Sequence, residues 1–248
     1  MPLPDDRSSL LSLAAEAEGA LAETKSAEDE KGARKHAFWL RRLAVLRWKL
    51  GDLNEAAALF GESAVEYLGL DSPDDCETAA KVRIEQSTVL MADGQNDSSL
   101  RVIQGLTEGA DGFPEFANLT AETRRSALES WGILLVKRDE FARLYEVSGI
   151  ALGLLDATDR YELAKNLVRR AKAAEALGYG YEAVETYEQA IGLFEELGPS
   201  ASEGQLLEAM HSQALLLSSL GRKDELPIVW ERVLWNSPGF PDMRGLSW

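Results

Sequence analysis

Cysteine is nearly absent from this sequence: Cys76 stands alone among 248 residues, accompanied by two histidines, His36 and His211. A single thiol closes no intrachain disulfide, and this donor set is too small for a structural zinc site. Basic residues are also scarce. Against 42 Asp and Glu stand 26 Lys and Arg, a formal charge of −16, which opposes the phosphate neutralisation on which non-specific nucleic-acid binding rests. No stretch approaches the roughly 18 apolar residues that a membrane span needs. The opening MPLPDDRSSLLSLAAEAEGA has neither the basic start nor the long apolar run of a signal peptide, so the expected setting is a reducing cytoplasm away from membranes. GxSxG, a glycine-rich loop ending in Lys-Ser/Thr, HExxH and CxxC are all missing, and with them the usual signatures of acyl transfer, nucleotide binding, metalloprotease and redox chemistry. The expectation is a protein that is not an enzyme and carries no cofactor and no metal.

What is present is a globular composition, 45% hydrophobic and 27% charged, organised by internal repetition. With Glu55, Asp97, Glu140, Glu182 and Glu225 taken as equivalent acids after a short turn, the spacings are 42, 43, 42 and 43. Five residues beyond each acid stands Phe60, Val102, Tyr145, Tyr187 or Trp230, the expected core anchors. Four residues before it stands Gly51, Asp93, Val136, Gly178 or Gly221, expected to end a helix. In the fourth unit Ala183, Tyr187, Ala190, Ile191 and Phe194 form one stripe of a 3.6-residue helix, with glutamates on the other face. Ser72 with Pro73 and Asp75, and Ser200 with Glu203, look like helix starts. Period-2 strand patterns are missing. Each unit reads as helix, turn, helix, loop.

The residues Ala44, Leu50, Gly51, Ala56 and Phe60 of unit one resemble the tetratricopeptide (TPR) repeat, as do Ala171, Leu177, Gly178, Ala183, Tyr187 and Ala190 of unit four and Ala214, Leu220, Gly221 and Trp230 of unit five. Units two and three place Gln86 and Glu129 where the pattern has a small residue, and unit five has Leu226 where it has Ala. The period is similar to the long-helix variety found in kinesin light chains and bacterial peptide-binding regulators. The resemblance implies an all-α, right-handed superhelix (α-solenoid) of about five hairpins with an N-terminal capping helix, about eleven helices in all. The expected layout is an N-terminal helix and linker over 1–32, repeats over 33–72, 73–117, 118–157, 158–199 and 200–235, and an irregular tail over 236–248. The charged stretch ETKSAEDEKGARK, 23–35, has no apolar stripe and is expected to be a loop.

In the family resembled, the first helix of each unit lines a concave groove. Repeat phase then makes Phe38, Arg41, Val45, Trp48, Arg83, Ser87, Thr123, Ser126, Ser130, Lys165, Arg169, Lys172, Glu208, His211 and Leu215 the groove candidates. Phe38, Trp39 and Trp48 interleaved with Arg41, Arg42 and Arg47 admit two readings, a platform for single-stranded nucleic acid or a core stripe, and the net charge favours the second. Lys165 and Arg169 are four apart on one face and suit a partner carboxylate; alternatively they pair with Glu162 or with acids of the next hairpin. The function implied is a non-catalytic scaffold or adaptor for a protein or peptide partner, with an acidic segment as one candidate. The alternative is a peptide- or ligand-sensing regulator acting on a separate effector.

Overall fold

The computed structural model describes residues 6–25, 29–70, 72–108 and 116–236. Among them are eleven α-helices, one short 3-10 turn and no strand. Helix α1 (Arg7–Thr24) stands alone in sequence. It is followed by five hairpins: α2 (Glu30–Leu50) with α3 (Leu53–Leu68), α4 (Pro73–Ala92) with α5 (Asn96–Thr107), α6 (Ala121–Lys137) with α7 (Phe141–Leu152), α8 (Arg160–Ala176) with α9 (Gly180–Leu197), and α10 (Pro199–Ser219) with α11 (Leu226–Asn236). The chain divides into two compact units between Leu134 and Leu135, inside α6. The tail from 237 onward lies outside the described residues.

At both its ends the charged stretch 23–35 is helical, where its composition suggests a loop. Glu23 and Thr24 complete α1, and Glu30 to Lys35 open α2, where Asp29 accepts from the Gly32 amide at 2.8 Å. A cap supplies what an apolar stripe would otherwise have to. Ser72 caps α4 as expected, accepting from the Asp75 amide at 3.1 Å. Helix α10 begins at Pro199 after Gly198, so Ser200 lies inside the helix and not at the expected position before it.

One turn recurs five times and fixes the register. At the end of each first helix a residue in the left-handed region is followed by a residue whose amide reaches back five positions: Asp52 to Arg47, Gln95 to Leu90, Glu140 to Leu135, Tyr179 to Ala174 and Arg222 to Leu217, all at 2.8–3.0 Å. This is the Schellman closure, which satisfies carbonyls left open at a helix end. The left-handed residues are Gly51, Gly94, Asp139, Gly178 and Gly221, so the true intervals are 43, 45, 39 and 43 residues. The acid-based alignment is therefore one residue early in unit two and three early in unit three. Gly94, not Asp93, and Asp139, not Val136, make the turn.

Correct phasing removes the departures at Gln86 and Glu129, while Leu226, in a unit whose phase is unchanged, remains. The small residue at the helix crossing is Ala44, Ser87, Gly132, Ala171 or Ala214, and all five are buried. Gln86 and Glu129 belong to other positions. The anchors become Phe60, Ile103, Ser148, Tyr187 and Trp230. Phe60, Ile103 and Tyr187 are fully buried and Ser148 nearly so, but Trp230 is 39% exposed. The expected anchors Val102 and Tyr145 are only partly buried. Trp230 is open because no described hairpin follows its own.

In the first unit, Leu10, Ala14 and Ala17 of α1 pack on Leu43 and Leu46 of α2, and Phe60, Ala64 and Tyr67 of α3 meet Ala79, Ala80 and Val82 of α4. In the second, Tyr187, Ile191 and Phe194 of α9 pack with Ala171 of α8 and with Leu206, Met210 and Leu217 of α10. Each such large apolar side chain removed from water contributes roughly 1.5–3 kcal/mol.

Candidate partner-binding site

Successive first helices are tied to one another by polar contacts across their exposed faces. Between α2 and α4, Arg34 grips Asp75 with two bonds of 2.9 and 2.6 Å, and Arg41 grips Glu85 with two of 2.9 and 2.5 Å. Between α4 and the start of α6, Glu77 accepts from the Thr120 amide at 3.1 Å and from the hydroxyls of Thr120 and Thr123. Between α8 and α10, Lys172 bonds Glu208 at 2.5 Å, and Gln205 donates to the Tyr161 hydroxyl at 3.1 Å. The Arg34 bonds, helped by Ser72, hold the Asp75 carboxyl below its ordinary range against the cost of its burial. Burial pushes Glu77 up, but the threonine bonds outweigh it and the net shift is downward.

These pairs decide where the expected groove residues go. Arg41 and Lys172 have carboxylate partners on the next first helix, and Lys165 pairs with Glu162 at 3.1 Å. Lys165 thus has the Glu162 contact named in the internal-pair alternative for Lys165 and Arg169. Arg169 is half-buried. Ser87 is fully buried, sharing a 2.7 Å bond with Ser99, because it is the crossing residue of its repeat. Thr123 and Ser130 are buried as well. Arg83 faces away from the first-helix surface, into a cavity between α3 and α5. Val45 and Trp48 are half-buried and pack against the core of the first unit. The candidates left on exposed surface are Phe38, Ser126, Glu208, His211 and Leu215, with His211 edge-on to Trp230 at 5.9 Å.

Phe38 borders a concavity. Half exposed, it stands edge-on to Trp39 at 5.5 Å. Beside it lies a space of about 720 Å³ between α2 and α4, lined also by Lys31, Lys35, Tyr67 and Thr78, with the Arg34–Asp75 pair as one wall. Lys31, Lys35 and Phe38 are spaced four and three apart and so share a helix face. The two lysines are exposed and pair with no carboxylate among the described residues. Sequence reasoning misses them because the segment reads as a loop; Asp29 at the cap and the 31–35–38 spacing are the available signal. No group of three or more His, Cys, Asp and Glu that could hold a metal occurs among the described residues, and no helix there is long and apolar enough to cross a membrane.

No protein-family model matches the sequence, and no curated protein matches it. Solved structures do. The crystal structure of BtubC (BKLC) from P. vanneervenii aligns over 96% of this chain and 93% of its own, at 14% identity and a TM-score of 0.65. A kinesin-light-chain-like protein of Podosopora anserina with nearly identical TPR-like repeats aligns over 79% of this chain and 92% of its own, at 19% identity and a TM-score of 0.58. A Rap protein complexed with competence and sporulation factor aligns over 93% of this chain, at 15% identity and a TM-score of 0.52. This chain spans 60% of that protein's length. At such identities the likeness speaks for architecture alone, and that architecture is the TPR-like all-helical repeat.

Proposed function

We propose that this chain is a non-catalytic scaffold that binds a protein segment or peptide along its first helices, with Phe38 as an apolar anchor and Lys31 and Lys35 meeting acidic residues of the partner. The observation that carries this reading is Phe38 itself, an aromatic ring half exposed at the rim of a concavity flanked by two lysines. Leaving such a ring in water forgoes the stabilisation its burial would give, and a partner recovers it on binding. The lysines supply steering and preference for acidic residues more than affinity. The reading places the protein in the cytoplasm, in keeping with its single thiol.

The test is fluorescence anisotropy with short peptides carrying an aromatic or leucine residue flanked by Asp and Glu, compared with neutral counterparts. Phe38→Ala weakens binding at least about tenfold, the scale of a missing aromatic anchor. Lys31→Glu with Lys35→Glu abolishes the preference for acidic peptides and its salt dependence. Affinities unchanged in both variants refute the site. A regulatory version, in which the bound peptide alters contact with a separate effector, is supported by the likeness to the Rap protein complexed with competence and sporulation factor.

A further inference from the structure

The first and last described hairpins are finished differently. At the first, α1 lies along α2, with Leu10, Ala14 and Ala17 covering Leu43 and Leu46. At the last, α11 leaves open a face that the repeat elsewhere keeps dry. Aligned through the left-handed turns, Leu226, Pro227, Trp230 and Val233 stand where the hairpin of α3 has Ala56, Ala57, Phe60 and Ser63, and that of α9 has Ala183, Val184, Tyr187 and Ala190. All of those counterparts are buried. In α11, Pro227 and Trp230 are exposed and Leu226 and Val233 half-buried. Beside them on α10, His211 and Leu215 are exposed, and His211 stands edge-on to the Trp230 ring at 5.9 Å.

Apolar side chains at positions built for contact are not how a repeat array meets water, since terminal units carry a polar outer face. The sequence continues past α11 as SPGFPDMRGLSW, 237–248, which lies outside the described residues. Its composition suits that face. Pro238 and Gly239 form a turn dipeptide immediately after the helix, placed to send the chain back along α11. Phe240, Met243, Leu246 and Trp248 supply large apolar side chains, whereas one Asp and one Arg leave the segment without net charge in a chain of −16. Extended, the residues from Phe240 to Trp248 span up to about 30 Å, and α11 rises only about 16 Å, so the segment reaches the far end of the helix.

We propose that residues 237–248 fold back over the open face of the fifth hairpin, with Phe240 and Leu246 against Leu226, Trp230 and Val233. The segment then gives the last hairpin the cover that α1 gives the first. Large apolar groups on both sides leave water together, which is the driving force. An occupant tethered at the end of α11 meets the face at high effective concentration, an advantage that a second copy or another protein lacks. A single segment is a thinner cover than a helical hairpin, so the Trp230 ring keeps part of its contact with solvent. The proposal is independent of the peptide surface around Phe38.

The experiment compares the full chain with its Phe240→Ser, Leu246→Ser form by hydrogen exchange, thermal melts and sedimentation velocity. The substituted chain is expected to exchange the amides of α11 at least about fivefold faster, while those of α3 keep their rates. Its melting midpoint falls. Trp230→Ala lowers that midpoint less in the substituted chain than in the unaltered one, because both changes remove the same contact. Phe240→Leu with Leu246→Met, which keeps the apolar volume, leaves exchange in α11 unchanged. Exchange in α11 that Phe240→Ser with Leu246→Ser does not speed overturns the proposal, as do additive losses with Trp230→Ala. A dimer that Trp230→Ala dissociates and the serine substitutions leave intact assigns the face to a second copy and overturns it too.

Discussion

Gln86 reaches back from α4 to α3, where its Nε2 donates to the Ala57 carbonyl at 2.9 Å across the bare backbone of Gly61. A methyl group at Gly61 would lie 2.8 Å from that nitrogen. The arrangement recurs. Gly149 leaves room for Arg170, whose Nη1 would meet an added Cβ at 2.9 Å, and Gln213 donates to the Val184 carbonyl at 3.4 Å. One position of the repeat, the residue before the helix crossing, thus fastens a hairpin to the one before it. Gln86→Ala is expected to cost about 1 kcal/mol, the net worth of a typical hydrogen bond. Gly61→Ala destabilises the unaltered chain yet stabilises the Gln86→Ala variant by up to about 1 kcal/mol, because alanine is the better helix former once the amide is gone. Urea titrations of the four proteins in this cycle measure the coupling, and simple additivity would contradict the hydrogen bond.

Asp139 is the only described residue other than glycine with a positive φ, 56°, and it occupies the turn position that glycine holds in the other four repeats. A side chain in the left-handed region costs energy that glycine avoids. Asp139→Gly is therefore expected to stabilise the chain by about 0.5–1 kcal/mol, read as a higher urea midpoint with unchanged slope.

Tyr187 and Trp230 share a repeat position but not an environment. Tyr187→Ala is expected to cost about 3–5 kcal/mol, as for a large aromatic truncated in a core. Trp230→Ala costs about half that or less, because the ring is already 39% exposed. Equal losses in thermal melts would show that Trp230 is covered in solution. The same burial, with the nearby Glu175, raises the Tyr187 phenol well above its ordinary range.

Acid should weaken the ties between hairpins. Asp75, Glu77 and Glu188 all have lowered pKa values in the folded chain. For Glu188, burial acts upward and the bonds from Gln213 and Arg232 prevail. A carboxyl whose folded pKa lies below its unfolded value contributes stability above the unfolded value, near pH 4, and loses it as pH falls through the folded value. Stability is therefore expected to drop below about pH 4, even though protonation also relieves the repulsion of a net −16 chain. Asp75→Asn should lower stability at pH 7 and flatten the acid limb of a stability-versus-pH curve. An unchanged limb would mean that the Arg34–Asp75 pair does not persist in solution.

The helices and their pairing were legible because a buried stripe must recur every 3.6 residues and a sharp turn needs glycine. Those constraints are strongest in the first and fourth hairpins, where Gly51 with Phe60 and Gly178 with Tyr187 leave one register. In the third, an aspartate makes the turn and a serine sits at the anchor position, so Val136 and Tyr145 offered a false phase. That error carried Glu129 onto the crossing position in place of Gly132, as its one-residue counterpart put Gln86 in place of Ser87. The groove was legible in part. Phe38 could be found from phase alone, whereas the pairing of Arg41 with Glu85 joins residues 44 apart, and no local pattern announces such a bond. The turn of Arg83 toward the opposite side depends on the same one-residue shift.

Ser148 carries a consequence for how the chain comes apart. Where Phe60 and Tyr187 each drive a large side chain into the next hairpin, the joint between α7 and α8 has a serine. Arg170 instead lies over the Tyr145 ring at 4.0 Å, with the Tyr145 hydroxyl donating to Glu182 at 2.6 Å. A stack of polar and aromatic groups resists water less than an apolar plug, and in a linear array each joint is held chiefly by its neighbours. Amide hydrogens of α7 should then exchange with solvent before those of α9, making this joint the place where the chain first breathes and the first that a protease would find.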